Sequence, residues 1–261
     1  EELASSDAFG TATTLEATLS YPIIRTREES LHVSLSYAHK NLKDEKTGSV
    51  DKKDADIATL GATYTKSCIL FGLESSTTAT LNLTHGDLSF NDADSLALDK
   101  AGARTNGDYT KVSGNIEKSL QFNPLYSLTT NVQFQKALGN KNLDGSEDFS
   151  LGGAYGVRAL PGSEHSAENG YLLGAELFYT LPSVEGINHK ASVFADTGYA
   201  TMENKISGSD GRQLSDMGLG YQAVYKEFFV KAQIARVMGG EKVESESEHS
   251  TKLLLQLGWI Y

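Results

Sequence analysis

Apolar and polar residues alternate with period two along most of the chain, the mark of strands with one apolar face. In residues 14–21, TLEATLSY, Leu15, Ala17, Leu19 and Tyr21 share one face, and Thr14, Glu16, Thr18 and Ser20 share the other. In residues 31–38, LHVSLSYA, Leu31, Val33, Leu35 and Tyr37 oppose His32, Ser34 and Ser36. In residues 126–135, YSLTTNVQFQ, Tyr126, Leu128, Val132 and Phe134 oppose Ser127, Asn131, Gln133 and Gln135. Helical periodicity is nearly absent. The pattern predicts eleven strands, near 11–22, 30–41, 55–67, 76–89, 109–120, 125–137, 170–181, 188–200, 213–224, 227–238 and 250–261.

A soluble β-sandwich also alternates, so two further features decide. The strands run mostly eleven to thirteen residues, against a usual length of about 5–6. The connections also alternate in length. Those near 23–29, 68–75, 121–124, 182–187 and 225–226 are short, and those near 42–54, 90–108, 138–169, 201–212 and 239–249 are long. Outer-membrane barrels have short periplasmic turns and long extracellular loops. Charges on the apolar face sit near strand ends, at Lys66, Lys118, Lys136 and Arg236, where a long side chain reaches the headgroups. Tyr21, Tyr126, Tyr179, Trp259 and Tyr261 also lie toward strand ends, as interfacial girdles require. The expected fold is an all-β, antiparallel transmembrane β-barrel.

Composition is consistent with that fold and excludes several others. No segment of the 261 residues approaches the run of about 20 apolar residues that a membrane helix needs. A net charge of -11 argues against nucleic acid as a partner. The single cysteine, Cys68, permits neither an intrachain disulfide nor a cysteine zinc site. The six histidines, His32, His39, His85, His165, His189 and His249, are scattered without metal-ligand spacing, so no metal or cofactor is expected. No nucleophile and base constellation stands out, and no enzyme is predicted. The first residues, EELASSDAFG, lack the basic and apolar regions of a signal peptide, which suggests a start inside a longer protein. The acidic stretch with Glu241, Glu244, Glu246 and Glu248 reads as solvated charge, or as a bridge to lipopolysaccharide phosphates through divalent cations.

The longest connection, 138–169, contains SLGGAYGVRALPG at 150–162, with a lone arginine, Arg158, among glycines. GYLLGAELFY follows at 170–179, and Phe194-Ala195-Asp196-Thr197-Gly198 lies on the next strand. Parity on strand 190–200 puts Ala191, Val193 and Ala195 on one small apolar face and Phe194, Asp196 and Gly198 on the other. An ionised aspartate facing lipid is costly, so Asp196 is expected to face the lumen. Glu176 shares the lumen-facing parity with Gly174 and Phe178 on the preceding strand.

These two motifs, in this order, resemble those of two-partner secretion transporters of the haemolysin-activator and filamentous-haemagglutinin type. The loop motif rests on Gly152, Gly153, Val157 and Arg158, and the wall motif on Phe194, Asp196 and Gly198. Leu160 stands where the family commonly has an aromatic, so no stacking role carries over to it.

The resemblance implies a sixteen-stranded barrel with the motif loop after strand eleven. Residues 1–261 are then its C-terminal portion, about the last eleven strands. A plug helix, two periplasmic domains and five strands lie upstream in the family. Loop 138–169 folds into the lumen, with Arg158 paired to Asp196 and Glu176 able to share the site. The alternative is a solvated arginine in an ordinary surface loop. The terminal TKLLLQLGWIY, with Trp259 and Tyr261 on its apolar face, resembles the signal read by outer-membrane assembly machinery.

The implied function is passage of a secreted exoprotein, such as a haemolysin or adhesin, across the bacterial outer membrane without ATP. A barrel-assembly protein of the same superfamily and a diffusion porin are the alternatives. Outer-membrane lipid and lipopolysaccharide complete the expected partners.

Overall fold

The computed structural model describes residues 9–46, 49–162, 164–205, 211–239, 243 and 250–259. Eleven antiparallel strands form one sheet. They are β1 (Phe9–Arg25), β2 (Glu29–Lys46), β3 (Ser49–Leu70), β4 (Leu73–Phe90), β5 (Gly107–Gln121) and β6 (Tyr126–Leu138), then β9 (Asn169–Thr180), β10 (Ile187–Thr201), β11 (Arg212–Tyr225), β12 (Phe228–Met238) and β13 (Thr251–Trp259). The two-residue strands β7 (Phe149–Ser150) and β8 (Ser166–Ala167) form a separate ribbon inside the β6–β9 loop. Each long strand pairs with its neighbour in sequence, and β6 pairs with β9 across the loop. Six long strands therefore precede the loop and five follow it.

Two expected loops are structured. Residues 42–54 are not a long connection. β2 and β3 run on as an 18- and a 22-residue strand, paired as far as Lys46 and Ser49. The alternating charges that look like a loop stand on this paired ladder, and Lys53 among them is buried against Asp144 of the β6–β9 loop. Residues 90–108 contain helix α1 (Ala93–Ala101), capped by the Asp92 carboxylate, which accepts from the Ser95 N–H at 2.7 Å.

One face of the sheet is apolar yet exposed. Leu15, Leu35, Leu60, Leu81, Leu177, Leu219 and Ile234 all stand on it. In water a face of this size is an aggregation hazard, so it is the lipid face. The opposite face is polar and internally bonded. The Thr59 and Thr84 hydroxyls meet at 3.1 Å, and the Asn131 amide donates to Asn115 at 2.8 Å. Near the short turns, a cavity of about 670 Å³ is lined by Ser67 of β3, Gln121 of β5, Phe178 of β9 and Gln222 of β11. Strands this far apart in the sheet reach one space only if the sheet curls around its polar face. Among the described residues, β1 pairs only with β2, and β13 only with β12.

Candidate functional site

The β6–β9 loop lies against the polar face. Its tip is built by short hydrogen bonds: Val157 N–H donates to the Leu151 carbonyl at 2.7 Å, and Gly153 N–H to that of Leu160 at 2.9 Å. Gly153 has φ +98°, in the left-handed region glycine tolerates. A Cβ at Gly152 would overlap the Pro161 carbonyl, so only glycine lets the two limbs approach this closely. Leu151, Val157 and Leu160 are buried with Leu172, Ala200 and Leu214 of β9, β10 and β11. Leu160 thus serves in packing. Gly198 leaves room for this contact, since a Cβ there would lie 2.9 Å from Leu151 Cδ2.

This apolar seat brings the Arg158 side chain to the wall. Its Nε donates to Asp196 Oδ2 at 2.7 Å, and its Nη2 to Asp196 Oδ1 at 3.2 Å. Its Nη1 donates to Glu176 Oε2 at 2.7 Å. The guanidinium carbon lies 3.6 Å from the centroid of the Phe194 ring. The fork thus binds one carboxylate at two points, a second at one point, and stacks on an aromatic face. Ser192 donates to Glu176 Oε1 at 2.6 Å and fixes that carboxylate. Gly174 and Gly218 make space, because a Cβ at the first would lie 2.8 Å from Asp196 Oδ1 and one at the second would overlap the Phe194 ring. Burial alone would lower the Arg158 pKa, but the hydrogen bonds and charges of Asp196 and Glu176 outweigh it and hold the guanidinium above its ordinary value.

The sequence did not single out Asp216. It sits directly across the ladder from Asp196, and its Oδ2 accepts from the Ala159 N–H at 2.5 Å. It holds the loop backbone beside the arginine. No local sequence signal marks it, since it shares its parity with the apolar Leu214; the register against β10 is what brings it to the site. Among the described residues, no three His, Cys, Asp or Glu side chains converge as a metal site. Trp259 stands exposed on the lipid face with Leu253, Leu255 and Leu257. Tyr261, Glu241, Glu244, Glu246 and Glu248 lie outside the described residues.

The same loop carries a group poised to titrate. Burial, with the nearby charges of Glu168 and Asp144, raises the Asp148 carboxyl to about 7. The folded loop then holds this proton more tightly than the unfolded chain, whose aspartate titrates near 3.8. Loop stability from this group is therefore full below the unfolded value and falls as pH rises toward 7. Hydrogen exchange over 143–150 should quicken as pH rises through 5–7, after correction for intrinsic rates. Asp148→Asn should remove that slope. An unchanged slope in the variant would assign it to another group.

Residues 4–223 match the model of the family described as haemolysin secretion/activation protein ShlB/FhaC/HecB. The chain belongs to this family. The family is one of outer-membrane transporters, and it places the chain in the bacterial outer membrane. Among curated proteins, the chain is 27% identical over 191 residues to the heme/hemopexin transporter protein HuxB of Haemophilus influenzae strain Rd, covering 72% of this chain and 33% of that protein. HuxB of strain 86-028NP is 26% identical over 187 residues, 71% of this chain and 32% of that protein. The chain thus spans about a third of the curated relatives it matches.

Among solved structures, CdiB from Escherichia coli aligns with a TM-score of 0.75 at 15% identity, over 96% of this chain and 45% of that one. CdiB from Acinetobacter baumannii gives 0.69 at 18% identity, over 95% and 42%. These likenesses agree with the family in giving a β-barrel fold.

Proposed function

We propose that this chain supplies a large part of the wall, together with the motif loop, of an outer-membrane pore that passes a secreted partner protein. The partner crosses unfolded, with no nucleotide, and folds outside. The observation that carries this reading is the Arg158 clamp. A loop fixed to the polar wall by a buried guanidinium, two carboxylates and an aromatic ring belongs to the working pore. Membership of a secretion family weighs against both a diffusion porin and a barrel-assembly role. Lipid covers the exposed apolar face. The terminal strand, with Trp259, is read by the assembly machinery. The acidic 241–248 stretch is solvated charge, or bridges to lipopolysaccharide phosphates through divalent cations. The test is secretion by a strain producing the whole protein with its exoprotein. Deleting the transporter should leave the exoprotein in the periplasm, and restoring it should return the exoprotein to the medium. Secretion that persists in the deletion strain would remove the assignment.

A further inference from the structure

The motif loop has a second attachment, on the other side of the polar face and of opposite polarity. Residues Gly145–Glu147 form a 3-10 turn, and the Asp144 carboxylate before it accepts from the Ser146 N–H at 3.1 Å. The acids of this turn face three lysines on the sheet. Lys53 of β3 meets Asp144 at 2.7 Å, while Lys40 of β2 and Lys111 of β5 meet Glu147 at 2.6 and 2.9 Å. Lys111 also donates to the Glu147 carbonyl at 2.8 Å. The lysine side chains are 25%, 11% and 12% exposed for Lys40, Lys53 and Lys111. Asp44 also reaches Lys53 at 3.0 Å, and Lys111 also donates to the Gln135 amide oxygen of β6 at 3.2 Å.

The polarities differ in consequence. At Arg158 the wall is acidic and the loop supplies the cation. At the turn the wall is basic and the loop supplies the anions. Burial alone would raise the Asp144 and Glu147 pKa values, but the lysines outweigh it and hold both below the ordinary carboxylate range. If this limb moves aside, Lys40 loses Glu147, Lys53 keeps only Asp44 and Lys111 keeps only the neutral Gln135 amide, so poorly solvated ammonium groups are left short of anions, which is costly unless other anions replace them. Carboxylates of a passing chain satisfy the same chemistry at little net cost.

We infer that Lys40, Lys53 and Lys111 form a carboxylate-binding site on the pore wall, occupied at rest by the loop's own Asp144 and Glu147 and taken over by acidic segments of the translocating polypeptide. The inference rests on the pore reading above. Its experiment uses conductance of the whole protein in planar bilayers, so it fails or succeeds separately from secretion. Asp144→Asn with Glu147→Gln vacates the site. It should raise the time-averaged conductance and let poly-L-glutamate block the pore at about tenfold lower concentration than in the unaltered protein, or about 1.4 kcal/mol. The effect should fade in about 1 M salt, where the screening length is roughly 3 Å.

Changing the three lysines to glutamine should abolish the block while keeping the raised conductance. Glu147→Gln alone keeps the Lys53–Asp144 pair and should give a smaller change of the same sign, which serves if the double variant assembles poorly. Equal block of the lysine-free pore, or no change in either acid variant, would overturn the site.

Discussion

Arg158→Ala in the whole transporter is expected to reduce secretion about tenfold or more, and Asp196→Ala to do nearly the same. The reason is the charge left behind. Removing the guanidinium strands the Asp196 and Glu176 carboxylates on a buried wall, and breaking such a pair from one side costs about 3–5 kcal/mol. The wall relieves that cost by taking up protons or water, either of which unseats the loop tip. Removing Asp196 strands the arginine in the same place, with Glu176 as its remaining partner. Both routes end in a loosened loop, so the double variant should be little worse than either single one. Arg158→Lys keeps the charge but loses the fork, which here spans two carboxylates and a ring face. It should therefore secrete less than the unaltered protein and more than Arg158→Ala. Two measurements check this: exoprotein in the medium, and labelling of a cysteine placed at exposed Tyr155 on the loop tip in a Cys68→Ser background. Strictly additive secretion defects would mean that Arg158 and Asp196 act separately.

Alternation made the strands legible, because a wall between lipid and a polar lumen must change character at every residue. The same alternation turns Phe194, Asp196 and Glu176 inward from the sequence alone. It hid the β2–β3 extension, because outside the lipid both faces are polar. There Asp44 and Asp51 stand opposite each other in the ladder, and so do Lys43 and Lys52, which resembles a solvated loop in sequence. Helix α1 was equally hidden. ADSLALDKA has no clear apolar stripe. Tertiary bonds hold it: Ser95 donates to Asp51 at 2.5 Å, and Asp99 accepts from the Thr105 N–H at 2.8 Å.

The two attachments of the loop differ in legibility for a related reason. Arg158 stands alone in a glycine-rich stretch, and Asp196 is the one acid on its strand, β10. Asp216 becomes visible only through the register that sets it beside Asp196. Lys53 and Asp144 lie 91 residues apart among many other lysines and aspartates, and no local pattern joins them. Only the folding of the loop across the sheet does so.

Residues 1–261 produced alone are expected not to insert as a closed monomeric barrel. β1 is 17 residues long and has no strand on its outer edge among the described residues, and β13 likewise pairs on one side only. Every second residue of such an edge turns an N–H and a C=O away from its partner. In hydrocarbon each unsatisfied group costs several kcal/mol. Pairing β1 with β13 offers poor relief. With eleven strands in an antiparallel meander, the first and last run in the same direction. Their ladder would be parallel, which is slightly weaker per residue, and the nine residues of β13 would leave much of β1 uncovered. The edges call for further strands. Produced alone in cells, the chain should be degraded or self-associated, with no heat-modifiable monomer on electrophoresis and no steady conductance. Supplying further strands to complete the sheet, in one chain or as a separate fragment, should restore both. A stable monomer of these 261 residues in membranes, with β1 cross-linking to β13, would show that the sheet closes on itself after all.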